Sequence, residues 1–177
     1  MRKRHLGLTL IVLCAALAAT GAGAATVQQT HLPLVVRPTD PSAIPPVDRA
    51  LELEVLRLLN ERRVANGLPP LAEHSALTQA ARRHANDMAA SGNFSHTGTD
   101  GSSPEQRVRA AAYPGAYAGE ILAFSSGYPN KAEIAVQLWM NSPPHRAIVL
   151  SPDATEFGAG YATGPAGDYW AVDFGRR

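Results

Sequence analysis

Apolar residues recur at helical spacing from Asp48 onward, and they predict a first helix that runs to about Asn66. Asp48 can cap its start, whereas Gly67 followed by two prolines ends it. Apolar residues lie on two sides of this helix, which is typical of a helix buried on two sides. The two stripes are Leu51, Val55, Leu58 and Leu59, and Leu53, Leu56 and Val64 with Asn60 among them. We expect Asn60 to be buried and hydrogen-bonded to backbone elsewhere, because an unpaired amide there is costly.

The same spacing predicts a second helix from about Ser75 to Ser91, ending before Gly92. One face of this helix carries a histidine among small and apolar residues. The face consists of Leu77, Ala80, Ala81, His84 and Met88. His84 is either a metal ligand or a hydrogen-bonded packing residue, and we predict the packing residue, which is the commoner role of a lone histidine on an apolar face.

Two shorter helices are indicated by their start signals. One begins with a cap, a first-turn proline and a capping-box glutamine, and spans Ser103 to about Ala112. The other spans Asn130 to about Asn141. Segments with the alternating pattern of strands come after each of these helices.

Alternation of apolar and polar residues predicts strands late in the chain. In the run from Gly119 to Phe124 it places Glu120, an acid, on an otherwise apolar face. Residues 155–163 and 168–174 flank a Gly-Pro-Ala-Gly turn and predict a β-hairpin, whose first strand has two glycines that permit close backbone approach. Because the helices precede the strands, we predict an α+β fold with a small antiparallel sheet.

Three segments are expected along the chain. Residues 1–24 have a basic start, an apolar core and a small-residue cleavage signature near Ala24, which together predict a signal peptide. Its apolar core is too short for a transmembrane helix, so we expect no transmembrane anchor and a secreted or periplasmic, cell-envelope location. Residues 25–46 are proline-rich without a sustained period and predict a flexible tether. Residues 47–177 form the predicted domain.

Charge and cysteine content limit the partners and the metal ligands that this chain can have. The formal net charge of +1 becomes −2 when Arg2, Lys3 and Arg4 are removed with the signal peptide, so a nucleic-acid partner is not expected. Cys14, the single cysteine, lies in the signal peptide. The mature protein is therefore expected to be free of disulfides, with histidine and carboxylate as its only strong ligand types.

Two histidines and one acid are candidate site residues. Ser142 and Pro143 predict a helix start that puts His145 in the first turn, where the helix dipole opposes protonation of the imidazole. A neutral imidazole can bind a metal. His96 lies in a glycine-containing loop after the second helix, and such a loop can aim a side chain into a cleft. Spacing alone leaves open whether these histidines and Glu120 form one site.

Seven short motifs follow one another between about Val47 and Gly175. They are Leu59-Asn60-Glu61-Arg62-Arg63, Gly67-Leu68-Pro69-Pro70-Leu71, Asp87-Met88-Ala89, Phe94-Ser95-His96-Thr97, Ala118-Gly119-Glu120, Trp139-Met140-Asn141-Ser142-Pro143-Pro144-His145-Arg146 and Phe157-Gly158-Ala159-Gly160-Tyr161. In this order they resemble the bacterial, cysteine-free, SCP-like branch of the CAP superfamily, which is named for cysteine-rich secretory proteins, antigen 5 and pathogenesis-related proteins.

The resemblance implies an α-β-α sandwich with a cleft where two histidines and two glutamates can hold a divalent metal, often zinc. The histidines fall on His96 and His145 and one glutamate on Glu120, whereas the second glutamate has no counterpart here. The resemblance thus implies at most a three-residue metal site, with zinc the expected ion and bound weakly. Either Glu120 binds the ion, or Glu120 is the only candidate general base and the ion has two protein ligands.

Three functions stay open at this point. We favour an exported binding domain whose cleft holds a divalent metal, a small lipid-like or peptide ligand, or both. The first alternative is a metal-assisted hydrolase that acts on a peptide, an ester or a cell-wall substrate. The second is a non-catalytic structural module of the cell envelope. We expect a monomer, and whether the protein is an enzyme is left open.

Overall fold

The computed structural model of the protein describes residues 46–177. The predicted signal peptide and the predicted tether up to residue 45 lie outside these residues, so both stay predictions. Within the described part, no helix is long and apolar enough to cross a membrane. The elements in chain order are α1 Pro46–Ala65, β1 Ala72–Glu73, α2 Ser75–Ser91, α3 Pro104–Ala110, β2 Ala116–Ser125, α4 Lys131–Asn141, α5 Pro143–Val149, β3 Glu156–Gly164 and β4 Gly167–Arg176.

The predicted helices are all present, with small differences at their ends. α2 has the predicted bounds, and Gly92 follows it at a φ of 72° and donates its N–H to the Met88 carbonyl. α3 has the predicted capping box between Ser103 and Gln106, and it ends two residues earlier than expected. Ser142 precedes α5 as predicted, but its side chain makes no capping hydrogen bond.

The strands form one sheet in the order β1-β3-β4-β2. β4 pairs antiparallel with β3 and with β2, whereas β1 pairs parallel with β3. The α+β class and the hairpin are therefore confirmed. The sheet is mixed, not purely antiparallel, because β1 joins its edge; a strand of two residues is too short to show alternation in the sequence.

Helices cover both faces of the sheet, as the sandwich arrangement requires. α2 and α3 pack against one face, and α1, α4 and α5 against the other. Gly158 and Gly160 of β3 face α2, where a Cβ at either position would collide with helix backbone near Thr78 and Arg82. The two glycines therefore set the close approach of α2 to the sheet, as predicted.

A fully buried cation joins three parts of the fold. The guanidinium of Arg63, near the end of α1, donates to the carbonyls of Pro69 (3.0 Å), Val149 (2.7 Å), Ser151 (2.8 Å) and Ala154 (3.2 Å). Two of these carbonyls lie at the C-terminal end of α5, where a positive charge is favourable. Arg63 thus anchors the helix that carries His145 to α1.

Candidate functional site

Glu120 lies on β2, which is an edge strand of the sheet. A β-bulge between Tyr117 and Gly119 interrupts the pairing of β2 with β4, after which Glu120 is aligned with Asp173. A bulge redirects side chains at a strand edge, and here Tyr117 and Glu120 both point toward α2 and α3. The Glu120 side chain is buried, as are those of the next three residues of β2.

The loop after α2 brings His96 to this carboxylate. His96 Nδ1 lies 2.7 Å from Glu120 Oε1, and 54% of the His96 side chain is exposed against 1% for Glu120. A carboxylate can only accept, so Nδ1 carries the hydrogen and donates it. Glu120 therefore fixes the orientation of the His96 ring and leaves Nε2, on the exposed side, available to a ligand.

Arg107 of α3 completes this arrangement and was not among the residues predicted from the sequence. Its guanidinium donates to Glu120 Oε2 (2.7 Å), to the His96 carbonyl (3.0 Å) and to the Ser102 carbonyl (2.8 Å). One side chain thus holds both the carboxylate and the loop that presents the histidine. A sequence signal existed, since Arg107 falls beside Val108 on the inward-facing side of a short helix, where a cation needs buried partners.

His145 approaches from the other side of the edge strand, in the first turn of α5. Gly119, at a φ of 148°, lies against Ile148 of α5, and a Cβ at this glycine would be 3.0 Å from Ile148 Cγ2. The missing side chain therefore seats α5 against β2 next to Glu120. Burial lowers the pKa of His145, and the neighbouring His96 lowers it further. The His145 imidazole is consequently neutral at neutral pH.

The donor set does not fit a three-ligand metal site. Among residues 46–177, no group of three or more histidine, cysteine, aspartate or glutamate side chains is arranged to hold a metal ion. Both Glu120 oxygens are already engaged, by His96 and by the buried guanidinium of Arg107. The geometry therefore places Glu120 behind His96 as its orienting partner, and it leaves the imidazoles of His96 and His145 as the two available donors.

His84 of α2 contacts the loop that carries His96. Its ring is buried in α2, and Nε2 lies 2.8 Å from the carbonyl of Ser95, the residue before His96. Burial lowers the pKa of His84, which keeps the ring neutral. The prediction that His84 is a hydrogen-bonded packing residue is confirmed.

An exposed aromatic pair lies beside the same loop. Phe94 precedes His96 by two residues, and Phe124 shares the face of β2 that carries Glu120. Their ring centroids are 6.3 Å apart, with 49% of Phe94 and 38% of Phe124 exposed. Phe124 also packs on buried Tyr169, at 4.9 Å between centroids. The histidine site therefore has an apolar surface close to it.

Fold and site together define a class of protein: an α-β-α sandwich that presents an oriented histidine at the edge strand of its sheet. Residues 56–174 match the CAP family, described as the cysteine-rich secretory protein family. The match extends over most of the chain, and the chain belongs to this family. The motif resemblance noted in the sequence is confirmed.

Two relatives from Bacillus subtilis (strain 168) match in sequence. The uncharacterized protein YkwD is 33% identical over 125 residues, which are 71% of this chain and 47% of YkwD. The uncharacterized membrane protein YlbC is 32% identical over 109 residues, which are 62% of this chain and 31% of YlbC. The chain thus spans about half, or less, of the length of these curated relatives.

Two solved structures share the fold. An extracellular protein containing a SCP domain from Bacillus anthracis str. Ames has a TM-score of 0.65 at 24% identity, over 76% of this chain and 45% of that one. An outer surface protein from Borrelia burgdorferi has a TM-score of 0.60 at 23% identity, over 76% of this chain and 96% of that one. At these identities the likeness concerns the fold alone.

Proposed function

We propose that this CAP domain is an exported binding domain whose cleft takes a divalent metal ion, zinc by preference, weakly and reversibly through His96 and His145. The observation that carries the proposal is the hydrogen bond from His96 Nδ1 to Glu120 Oε1. A carboxylate behind an imidazole fixes the tautomer and the ring orientation that a metal ligand needs. The neutral state of His145 supplies a second donor of the same type.

Two protein ligands make an open site. Zinc in proteins takes four ligands, so an ion held by His96 and His145 would leave positions for oxygen or nitrogen atoms of a ligand. The role of Arg107 and Glu120 is then to hold the His96 loop and its ring in place. The hydrolase alternative has less support, because both Glu120 oxygens are engaged and none is free to act as general base.

Calorimetric zinc titration of the mature chain tests the proposal. We expect weak one-to-one binding in the wild type and its loss in His96→Ala and in His145→Ala. His74→Asn is the matched control, because His74 caps α2 with its side chain and asparagine keeps that capping role. Zinc binding that is unaffected by both alanine variants, or that is lost in the control, would contradict the proposal, and an absence of binding would favour the structural-module alternative.

The aromatic pair favours a second candidate ligand, an amphiphile with a polar head and an apolar chain. Its head would contact the exposed side of His96, and its chain would lie on Phe94 and Phe124. Decanoate is a suitable probe, with binding followed by NMR of the phenylalanine rings. We expect Phe94→Ala to weaken decanoate binding and Tyr128→Ala to leave it unchanged, Tyr128 being an exposed aromatic residue that is not part of the Phe94–Phe124 pair. Equal effects of the two variants would exclude this surface.

Export is part of the proposal and has separate support. Residues 1–24 have the pattern of a signal peptide. One structural relative is described as extracellular and another as an outer surface protein. Expression of the full chain in a bacterial host, followed by N-terminal sequencing of the exported protein, is expected to give a mature start just after Ala24. Retention in the cytoplasm with Met1 intact would contradict it.

A further inference from the structure

Asp173 of β4 is the most unusual carboxyl group in the described part of the chain. It is 0% exposed, and neither of its side-chain oxygens has a hydrogen-bond partner among residues 46–177. In the sheet it lies between Glu120 of β2 and Gly158 of β3. Buried polar groups in native proteins are nearly always paired, so an unpaired carboxyl group requires an explanation.

The charged groups around Asp173 do not supply a counter-ion for it. β2 contributes Glu120 and Tyr117, α3 contributes Arg107, and α2 contributes His84 to the same buried region. Arg107 is the buried cation of this group: it donates to Glu120 Oε2 at 2.7 Å, and although its buried Nε has no hydrogen-bond partner among residues 46–177, it makes no hydrogen bond to Asp173. Two carboxylates and one guanidinium would leave a net negative charge among these buried side chains.

We propose that Asp173 is a buried proton-binding group, held as the neutral carboxylic acid, whose ionisation at alkaline pH would compete with Glu120 for Arg107 and loosen the His96 loop. The assignment follows from the complete burial, the absence of partners and the count of charges. A buried carboxylate without a partner is costly enough that such a group protonates instead. An ionised Asp173 would be a second buried anion, and it would weaken the ion pair of Arg107 with Glu120 that holds the His96 loop.

The electrostatics agree with this assignment. Burial, and after it the negative charge of Glu120, raise the pKa of Asp173 well above its usual range, while Arg107 acts in the opposite direction. An acid whose pKa is raised on folding binds more protons in the folded than in the unfolded state. Its contribution therefore decreases stability as pH rises from the ordinary aspartate range, near ~3.9, toward the pKa of the folded state.

The charge state of Asp173 can be measured directly by carboxyl carbon NMR of the wild-type chain, with Asp173→Asn to assign the signal. We expect the Asp173 carbon to keep the shift of a protonated acid in the pH range above ~5, where ordinary aspartates are ionised. An ionised signal across that range, or a titration near ~3.9, would overturn the proposal. This readout needs no variant to fold, since the assignment can also be made from backbone connectivities.

Stability provides an independent measurement. The melting temperature of the wild type is expected to fall relative to that of Asp173→Asn as pH rises from about 5 to about 9, because asparagine has no proton to lose. Parallel curves would overturn the proposal. The functional importance of the His96 loop rests on the proposed function, whereas the charge state of Asp173 does not depend on it. If wild-type chain fails to bind zinc while the Asp173 carbon is protonated, the binding proposal fails and this one stands.

Discussion

At the scale of single residues, two buried arginines hold the candidate site together. Arg107 joins the Glu120 carboxylate to the His96 loop, and Arg63 joins α1 to the end of the helix that carries His145. Arginine is rarely buried without partners, and each guanidinium here is matched by several oxygen acceptors. Removal of either cation leaves acceptors in the interior without a donor.

We predict that Arg107→Met destabilises the domain by about 3 to 5 kcal/mol, because it leaves the buried Glu120 carboxylate without its cation. Urea unfolding measures the loss. Arg109→Met on the same helix is the control: the pair of Arg109 with Glu105 is exposed, and its removal should cost less than about 1 kcal/mol. The double variant Arg107→Met with Glu120→Leu should recover much of the loss, and a double variant less stable than the single one would exclude this reason.

Asn60 carries a second prediction at this scale. Its Nδ2 donates to the Leu71 carbonyl at 3.0 Å, and its Oδ1 accepts from the Leu71 N–H at 2.8 Å, so the expected backbone pairing is confirmed although the side chain is only partly buried. Asn60→Leu is expected to cost roughly 1 to 3 kcal/mol, because both Leu71 backbone groups lose their partner. Chemical denaturation measures this, with exposed Asn66→Leu as control. A neutral or stabilising result at Asn60 would show that water replaces the amide there.

At the scale of elements, the site depends on how α5 meets the edge strand β2. Gly119 has a backbone conformation that favours glycine and no side chain between the strand and Ile148. α5 is short, so its position is set by packing and by the Arg63 contacts at its end more than by its own helix propensity. The place of His145 is therefore a consequence of these contacts.

We predict that Gly119→Ala costs about 1 to 3 kcal/mol in backbone strain and weakens zinc binding several-fold, because α5 must shift to make room for the methyl group. Gly127→Ala is the matched control. Its φ of 79° also favours glycine, but a Cβ there would meet nothing within 4 Å. The control should lose a similar stability and keep its zinc affinity. Equal affinities in both variants would show that α5 does not set the site.

At the scale of the whole molecule, the fold and the site have separate sources of stability. Among the described residues, one apolar cluster on the α1, α4 and α5 side of the sheet and two on the α2 and α3 side contain the buried aromatic and aliphatic side chains, whereas His96 and His145 lie at the edge strand. A metal at such an edge adds little to folding. The domain is therefore expected to fold with or without an ion.

We predict that zinc binding is lost as pH falls through the histidine range near ~6.5, because protons compete for the same nitrogens. The lowered pKa of His145 keeps that ring neutral at lower pH than usual. Titrations at about pH 7.5 and about pH 5.5 measure the change. Melting in chelator should match melting without it, and unfolding in chelator would indicate a structural metal instead.

Much of the fold was predictable from the sequence because the signals are local. Periods of 3.6 and 2, helix caps and turn residues identified α1 to α5, β2 and the hairpin, since these depend on neighbours within a few positions. β1 was missed for the opposite reason: two residues carry no period, and only the partner strand β3 makes them a strand.

The candidate site was likewise predictable only in part. Motif order indicated His96, Glu120 and His145, and the pairing of His96 with Glu120 agrees with that indication. The sequence could not decide whether Glu120 is a ligand, a base or an orienting partner. That depends on Arg107, which is 11 residues from His96 and 13 from Glu120 in the sequence and reaches both groups only after α3 has packed against the sheet.

The sequence by itself thus determined the family, the helices and the hairpin, and the types of side chain available for chemistry. Only the tertiary structure decided which of them are charged, paired or free. Burial and partners set these properties, and both arise from contacts between residues that are not neighbours in the chain, such as Glu120 with Arg107 and with Asp173. A carboxyl group has the same chemical structure in every protein, but its charge state depends on its burial and its partners in the folded protein.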